Sequence, residues 1–246
     1  GKKSGAYSSG CYDTYPYILM NFKEDELRDV YTLTHEAGHS MHTYLSSKNQ
    51  SYQDSGYTIF VAEVASTFNE QLLSKYLKEL HANNPQMLAY LINNQIDDIK
   101  ATLYRQTMFA EFELETHRIC ENNEPLTVDV FRGIYKQLLA KYFGTAVNLT
   151  ELEELECLRI PHFYSSFYVY KYATGISAAV ALSERVLKGG NDEKEQYLMF
   201  LKSGGSKYPL DVLKTAGVDI SEPTPIEEAL KLFDKLVTEL EKILKV

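Results

Sequence analysis

The sequence predicts a mainly α-helical chain with a short β-element near its start. Three observations carry this. Between Pro85 and Glu121 no glycine or proline interrupts the chain, and Leu88, Leu91, Ile92, Ile96, Ile99 and Leu103 recur at helical spacing. Helix start signals recur, as in "NNP" at 83–85, with Asn84 as N-cap and Pro85 at the first helical position. Only residues 5–22, "GAYSSGCYDTYPYILMNF", are punctuated by Gly, Ser and Pro and carry an aromatic, β-branched run, Tyr17 to Phe22.

Taken in order, residues 5–22 are extended. A first helix opens at Glu24 or Asp25 and runs to about Ser47. "KNQSYQDSG", 48–56, is a polar loop, and a second helix spans about Tyr57 to Leu80. After the helix that starts at Pro85, further helices are expected at about 127–142, 165–188, 192–203 and 224–245. The last has Thr224-Pro225 as cap and first position, and places Leu230, Phe233, Leu236, Leu240 and Ile243 on one side. There is no internal repeat and no low-complexity stretch.

Size and composition exclude several functions. The chain of 246 residues is 44 % apolar and 24 % charged, enough to bury a substantial core. A net charge of −9 with no lysine- or arginine-rich run gives no support for a nucleic-acid partner or an anionic lipid surface. No apolar run approaches the ~18 residues of a membrane span, and no signal peptide opens the chain. The sparse cysteines, Cys11, Cys120 and Cys157, fit a reducing compartment and a cytoplasmic protein rather than a disulfide framework. The opening "GKKSGAY" has neither an initiator Met nor a capping pattern, as if the chain begins inside something longer.

The chemistry concentrates in "YTLTHEAGHSMHTYLSS", 31–47. His35 and His39 are four apart, so on a helix they stand about 40° apart in projection and ~6 Å apart along the axis. Both imidazoles can reach one metal ion. Glu36 lies about 100° from His35, beside such an ion rather than on it, where a carboxylate can take a proton from a water. This is the HExxH arrangement of zinc hydrolases. A chance occurrence in a chain with 6 histidines has a probability on the order of one per cent, and a chance match usually falls on an exposed polar face. Here Ala37-Gly38 lies between the histidines, with Leu33, Met41 and Leu45 nearby. A mid-helix glycine costs roughly 1 kcal/mol against alanine and asks for a packing reason. His42 falls on the other side of His39 and is expected to be a packed or surface histidine.

A catalytic zinc keeps three protein ligands and one open position. Glu63 is the candidate third ligand, because it sits among Val61, Ala62, Val64 and Ala65, and a carboxylate on an apolar segment needs a partner. If the loop folds the two helices antiparallel, Glu63 returns to roughly the level of His39. A buried Arg or Lys partner is the plainer alternative. Glu70, seven residues on, is the rival ligand or a group that orients a histidine.

Other groupings are weaker. Glu111, Glu113 and Glu115 lack the Glu-x-x-His spacing of a bundle di-metal site relative to His117, and read as a solvated or structurally paired face. In "RIPHFYSSFYVYKYATG", 159–175, Phe163 and Phe167 read as core. His162, Tyr164, Tyr168, Tyr170 and Tyr172 are a heavy polar load for a core, and a Tyr hydroxyl or protonated His can donate to the oxyanion of a peptidase. "YPYILMNF", 15–22, is either an ordinary strand or a sheet edge to which an extended peptide adds.

Together "HEAGHSMHTYLSS", "EVASTFNE", "RQTMFAEFE" and "RIPHFYSSFYVYKYATG", in this order, resemble the oligoendopeptidase F branch of the thimet oligopeptidase family of zinc metallopeptidases. The opening "GKKSGAYSSGCYDTYPYILMNF" is similar to the strand region before that family's zinc helix. The resemblance covers essentially the whole chain. It implies a zincin-like helical catalytic domain over 1–246, one Zn²⁺ held by His35, His39 and Glu63, and Glu36 as general base. It implies His162 and Tyr170 as transition-state groups, Tyr164 and Tyr168 as substrate-binding groups, and short oligopeptides as substrates. Family members are usually much longer, with an N-terminal helical region that forms the other wall of a channel. The expectation is therefore either a zinc endopeptidase active by itself, or a zinc- and peptide-binding fragment without turnover that needs the missing region or a partner chain.

Overall fold

The computed structural model describes residues 5–245. The first four residues, on which part of the reading of the chain's opening rests, lie outside the described residues. The chain divides into two compact units, one formed by residues 1–99 and 174–246, the other by 100–173.

In the first unit, β1 (Ala6–Ser9) pairs antiparallel with β2 (Tyr17–Met20) in the register Ala6 to Met20 and Ser9 to Tyr17. The expected run to Phe22 ends as a strand at Met20. This two-stranded ribbon lies on α1 (Leu27–Asn49), where the Ser8 and Ser40 hydroxyls are 2.8 Å apart. α2 (Ile59–Leu80) packs along α1. The two run antiparallel, because side-chain contacts pair Tyr31 with Ser74, His35 with Glu70, His39 with Glu63 and Thr43 with Tyr57. At Gly38 the helices approach closely. A Cβ there would lie 2.6 Å from Ala65 O and from Ser66 Cα, so only glycine allows this approach. This is the packing reason that a mid-helix glycine requires.

α3 (Pro85–Ile99) begins as its signal predicts, with Asn84 Oδ1 accepting from the Met87 N–H at 3.1 Å. It packs against α9 (Thr224–Leu244). In α9 Thr224 is itself helical, so Pro225 stands one position later than expected. Most of α6 (Tyr170–Lys188), α7 (Asn191–Lys202) and α8 (Pro209–Thr215) complete the unit. α8 is too short for an apolar period to reveal it. The core joins Val61, Val64, Ala65 and Phe68 of α2 to Ala178, Ala179 and Leu182 of α6 and Phe200 and Leu201 of α7.

The second unit starts with a π-helical segment, Lys100–Tyr104, that leads into α4 (Arg105–Glu121). α5 (Val128–Phe143) packs on α4 around Met108, Phe109, Phe112, Tyr135, Leu138 and Leu139. Two 3₁₀ turns follow, Glu153–Leu158 and Pro161–Tyr164. Glu156 of the first takes Arg105 and Arg159 as ion-pair partners and accepts from the Tyr135 hydroxyl at 2.6 Å.

Residues 165–169 are not helical, contrary to the expectation of a helix from 165. Phe167 has φ 54°, in the left-handed region, and α6 starts only at Tyr170. Phe167 is also not core. It is 46 % exposed, whereas Phe163 packs against the buried cluster of this unit. The acidic run is split as well: Glu111 pairs with Lys141 at 2.7 Å and Glu115 with Arg118 at 2.7 Å, but Glu113 is buried. Among the described residues no helix is long and apolar enough to cross a membrane.

Candidate metal centre

The site is built across the α1–α2 pair. His35 and His39 project from successive turns of α1, and their Nε2 atoms are 3.2 Å apart. Glu63 comes from the facing turn of α2, with Oε2 3.4 Å from His35 Nε2 and 3.7 Å from His39 Nε2. Among the described residues this is the one group of three side chains with metal-ligating atoms gathered in this way.

The donor set fits a zinc ion. Two imidazole nitrogens and a carboxylate oxygen make up a three-ligand catalytic site, and tetrahedral bonds of about 2.0–2.1 Å separate ligand atoms by roughly 3.3–3.4 Å. The three observed separations bracket that value. The point equidistant from the three atoms lies about 2.0 Å from each, within bonding distance of an ion. Without an ion, two imidazole nitrogens at 3.2 Å need a proton between them.

The surroundings orient these three side chains. Glu70 Oε1 is 2.6 Å from His35 Nδ1, which leaves Nε2 to turn toward Glu63. Glu70 thus bears on the far nitrogen of His35, and Glu63 is the carboxylate beside both Nε2 atoms. Ser66, one turn after Glu63, places its hydroxyl 3.2 Å from Glu63 Oε2. Sequence reasoning did not single out Ser66, although its i+3 spacing from Glu63 is visible in "EVASTF". Glu36 is buried, at 7 % exposure, in the same turn as His35. His42 is wholly buried, stacked on Tyr57 with ring centroids 3.7 Å apart, and is a packing residue.

Electrostatics follow from this crowding. Burial opposes charge on His35, but its hydrogen bonds to Glu63 and Glu70 and their negative charge outweigh it and raise the pKa to about 10. Burial, then the neighbouring His35 charge, lowers the pKa of His39. Burial pushes the Glu63 carboxyl up, but its hydrogen bond to His35 and the two imidazoles bring it below its usual value.

The tyrosine-rich residues lie in the second unit, apart from this group in the chain. His162 is exposed, its ring 5.7 Å from Tyr168 and 6.0 Å from Tyr172, and Tyr168 and Tyr172 are 5.6 Å apart. Tyr164 is 87 % exposed and Tyr170 41 %. These phenols therefore do not load a core. His162, Tyr168 and Tyr172 form one cluster, while Tyr164 stands outside it.

A mainly helical chain with two histidines on one helix and a glutamate from the next, held at ligand spacing, is the arrangement that the sequence resemblance leads one to expect. The chain belongs to Peptidase family M3, whose profile matches residues 1–232. It is 48 % identical over 243 residues to an oligoendopeptidase F homolog of Borreliella burgdorferi, covering 99 % of this chain and 41 % of that protein. It is 49 % identical over 244 residues to oligopeptidase PepF of Bacillus subtilis, covering 99 % of this chain and 36 % of that protein. The crystal structure of oligoendopeptidase-F from Enterococcus faecium superposes with a TM-score of 0.80 at 42 % identity, over 89 % of this chain and 40 % of that one. The chain thus spans about two-fifths of the length of these relatives.

Proposed function

We propose that residues 1–246 form the catalytic region of a zinc-dependent endopeptidase acting on short oligopeptides. The observation that carries this reading is the triangle of His35 Nε2, His39 Nε2 and Glu63 Oε2 with the buried Glu36 beside it. Membership of a peptidase family and similarity to oligoendopeptidases support it.

In this reading His35, His39 and Glu63 hold one Zn²⁺, with Glu70 orienting His35 and Ser66 orienting Glu63. Bound zinc supplies Lewis acidity and a water acidic enough to serve as nucleophile near neutral pH. Glu36 accepts the proton of the attacking water and returns it to the leaving amine as the peptide bond breaks. Burial of Glu36 keeps bulk water from competing for that proton. His162 and Tyr170 donate hydrogen bonds to the oxyanion of the tetrahedral intermediate. Tyr164 and Tyr168 bind the peptide substrate.

The test is cleavage of a short internally quenched peptide by the zinc-loaded chain, against Glu36→Gln as background. Glu36→Gln should keep its zinc and lose at least about a hundredfold in kcat, the usual scale of a lost general base. Full activity in Glu36→Gln would overturn the mechanism. Bound zinc with no turnover in the native chain would instead identify a metal- and peptide-binding region that needs more protein to act.

A further inference from the structure

We propose that Glu113 is a positioning residue that locks the 162–170 segment in register. Its bearing on catalysis rests on the role proposed above for His162 and Tyr170. Glu113 is on α4 and only 3 % exposed, yet no lysine, arginine or histidine among the described residues makes an ion pair with it. A carboxylate buried without a cation needs some other polar partner. Its partner is a backbone group: Glu113 Oε1 accepts from the Phe167 N–H at 2.5 Å. A carboxylate oxygen facing a backbone N–H is among the stronger acceptors that a side chain offers.

Phe167 is the residue at which such a grip matters. Its φ of 54° is sterically disfavoured for a bulky side chain, and its half-exposed ring is not held by the core. The ring instead packs on His117, 4.5 Å between centroids, and His117 lies one turn after Glu113 with Nδ1 2.7 Å from the Glu113 carbonyl oxygen. Two α4 side chains one turn apart thus hold the backbone and the ring of one strained residue. On one side of it is the 3₁₀ turn with His162 and Tyr164. On the other are Tyr168, the fully buried Val169, and Tyr170 at the start of α6. A change of conformation at Phe167 would reorient the two halves of the segment relative to each other.

The experiment compares Glu113→Ala, Glu113→Gln and Phe167→Pro in the zinc-loaded chain. The amide oxygen of Gln keeps the acceptor, whereas Pro deletes the N–H and forbids the left-handed φ. The first readout needs no activity: amide hydrogen exchange across 164–169 should speed by about tenfold or more in Glu113→Ala and stay near native in Glu113→Gln. The second is kinetic: Glu113→Ala and Phe167→Pro should lower kcat by roughly ten- to a hundredfold with little change in KM, and Glu113→Gln should retain most of kcat. Zinc content should be native in all three. Unchanged exchange in Glu113→Ala, a Gln variant as impaired as Ala, or full kcat in Phe167→Pro would each overturn the proposal. Should Glu113→Ala not fold, Phe167→Pro carries the same test on the exposed side of the bond. If the native chain binds zinc but turns over no peptide, the region needs more protein to act, and exchange alone decides whether Glu113 holds Phe167.

Discussion

His35 lies at the crossing of two demands, those of a proton and those of a metal ion. In the metal-free protein its imidazolium sits between Glu63 and Glu70 and has a pKa of about 10, above its ordinary value of 6.5. A pKa raised on folding means that the charged form stabilises the metal-free fold. That contribution is complete below about pH 6.5 and disappears as the pH rises through about 10. An ion can bind Nε2 only after this proton leaves. Apparent zinc affinity should therefore rise by about tenfold per pH unit between about pH 6.5 and 8.5, the slope for displacing one proton. Competition with a chromophoric chelator at several pH values measures it. A flat profile would mean that His35 is already neutral without metal.

At the scale of elements, the α1–α2 pair is the device that assembles the site. Spacing within α1 puts His35 and His39 side by side, but nothing within α1 can supply Glu63. That depends on how closely α2 lies along it, which Gly38 sets through its contact with Ala65 and Ser66. Gly38→Ala would gain helix propensity in an isolated helix. In this pair the added methyl meets backbone on the facing helix, where no side chain can rotate away. The variant should lose about 1–3 kcal/mol of stability as an overpacked contact. It should also bind zinc more weakly, because separating the helices carries Glu63 away from the histidines. Thermal unfolding with and without zinc reads both effects, and a variant as stable as the native chain with native zinc affinity would contradict this account. By contrast, a Cβ at Gly175 would meet Glu63 Cβ at 3.7 Å, an ordinary contact.

For the whole molecule, the ligands of the proposed ion all belong to the unit formed by 1–99 and 174–246, and the other unit has a core of its own. A ligand that binds only the folded state stabilises what it is bound to. Chelation should therefore speed amide exchange around Val64, Leu182 and Phe200 by more than around Met108, Tyr135 and Leu139. Equal loss of protection in both sets would show that the units unfold as one.

Much of this protein was legible along the chain because its signals are local. The i, i+4 histidines with an intervening glutamate, the Asn84-Pro85 helix start and the apolar period from Leu88 to Leu103 depend only on helix geometry, which is the same in every fold. The mainly α class follows from them. Glu63 could be brought near His39 by counting helical rise, but which of Glu63 and Glu70 stands beside both Nε2 atoms is visible only in the tertiary arrangement, since both lie on one face of α2. The contact that makes Gly38 necessary is likewise visible only once Ala65 and Ser66 lie against it. The segment at 165–169 reads as helical by composition, but the left-handed Phe167 held by Glu113 interrupts it. The partners are 54 residues apart in sequence, and no local period records a hydrogen bond from the backbone of one turn to a side chain on a distant helix. Local geometry determined which residues share a helical turn. Packing between elements decided which carboxylate meets the histidines and where the helix expected from residue 165 could begin.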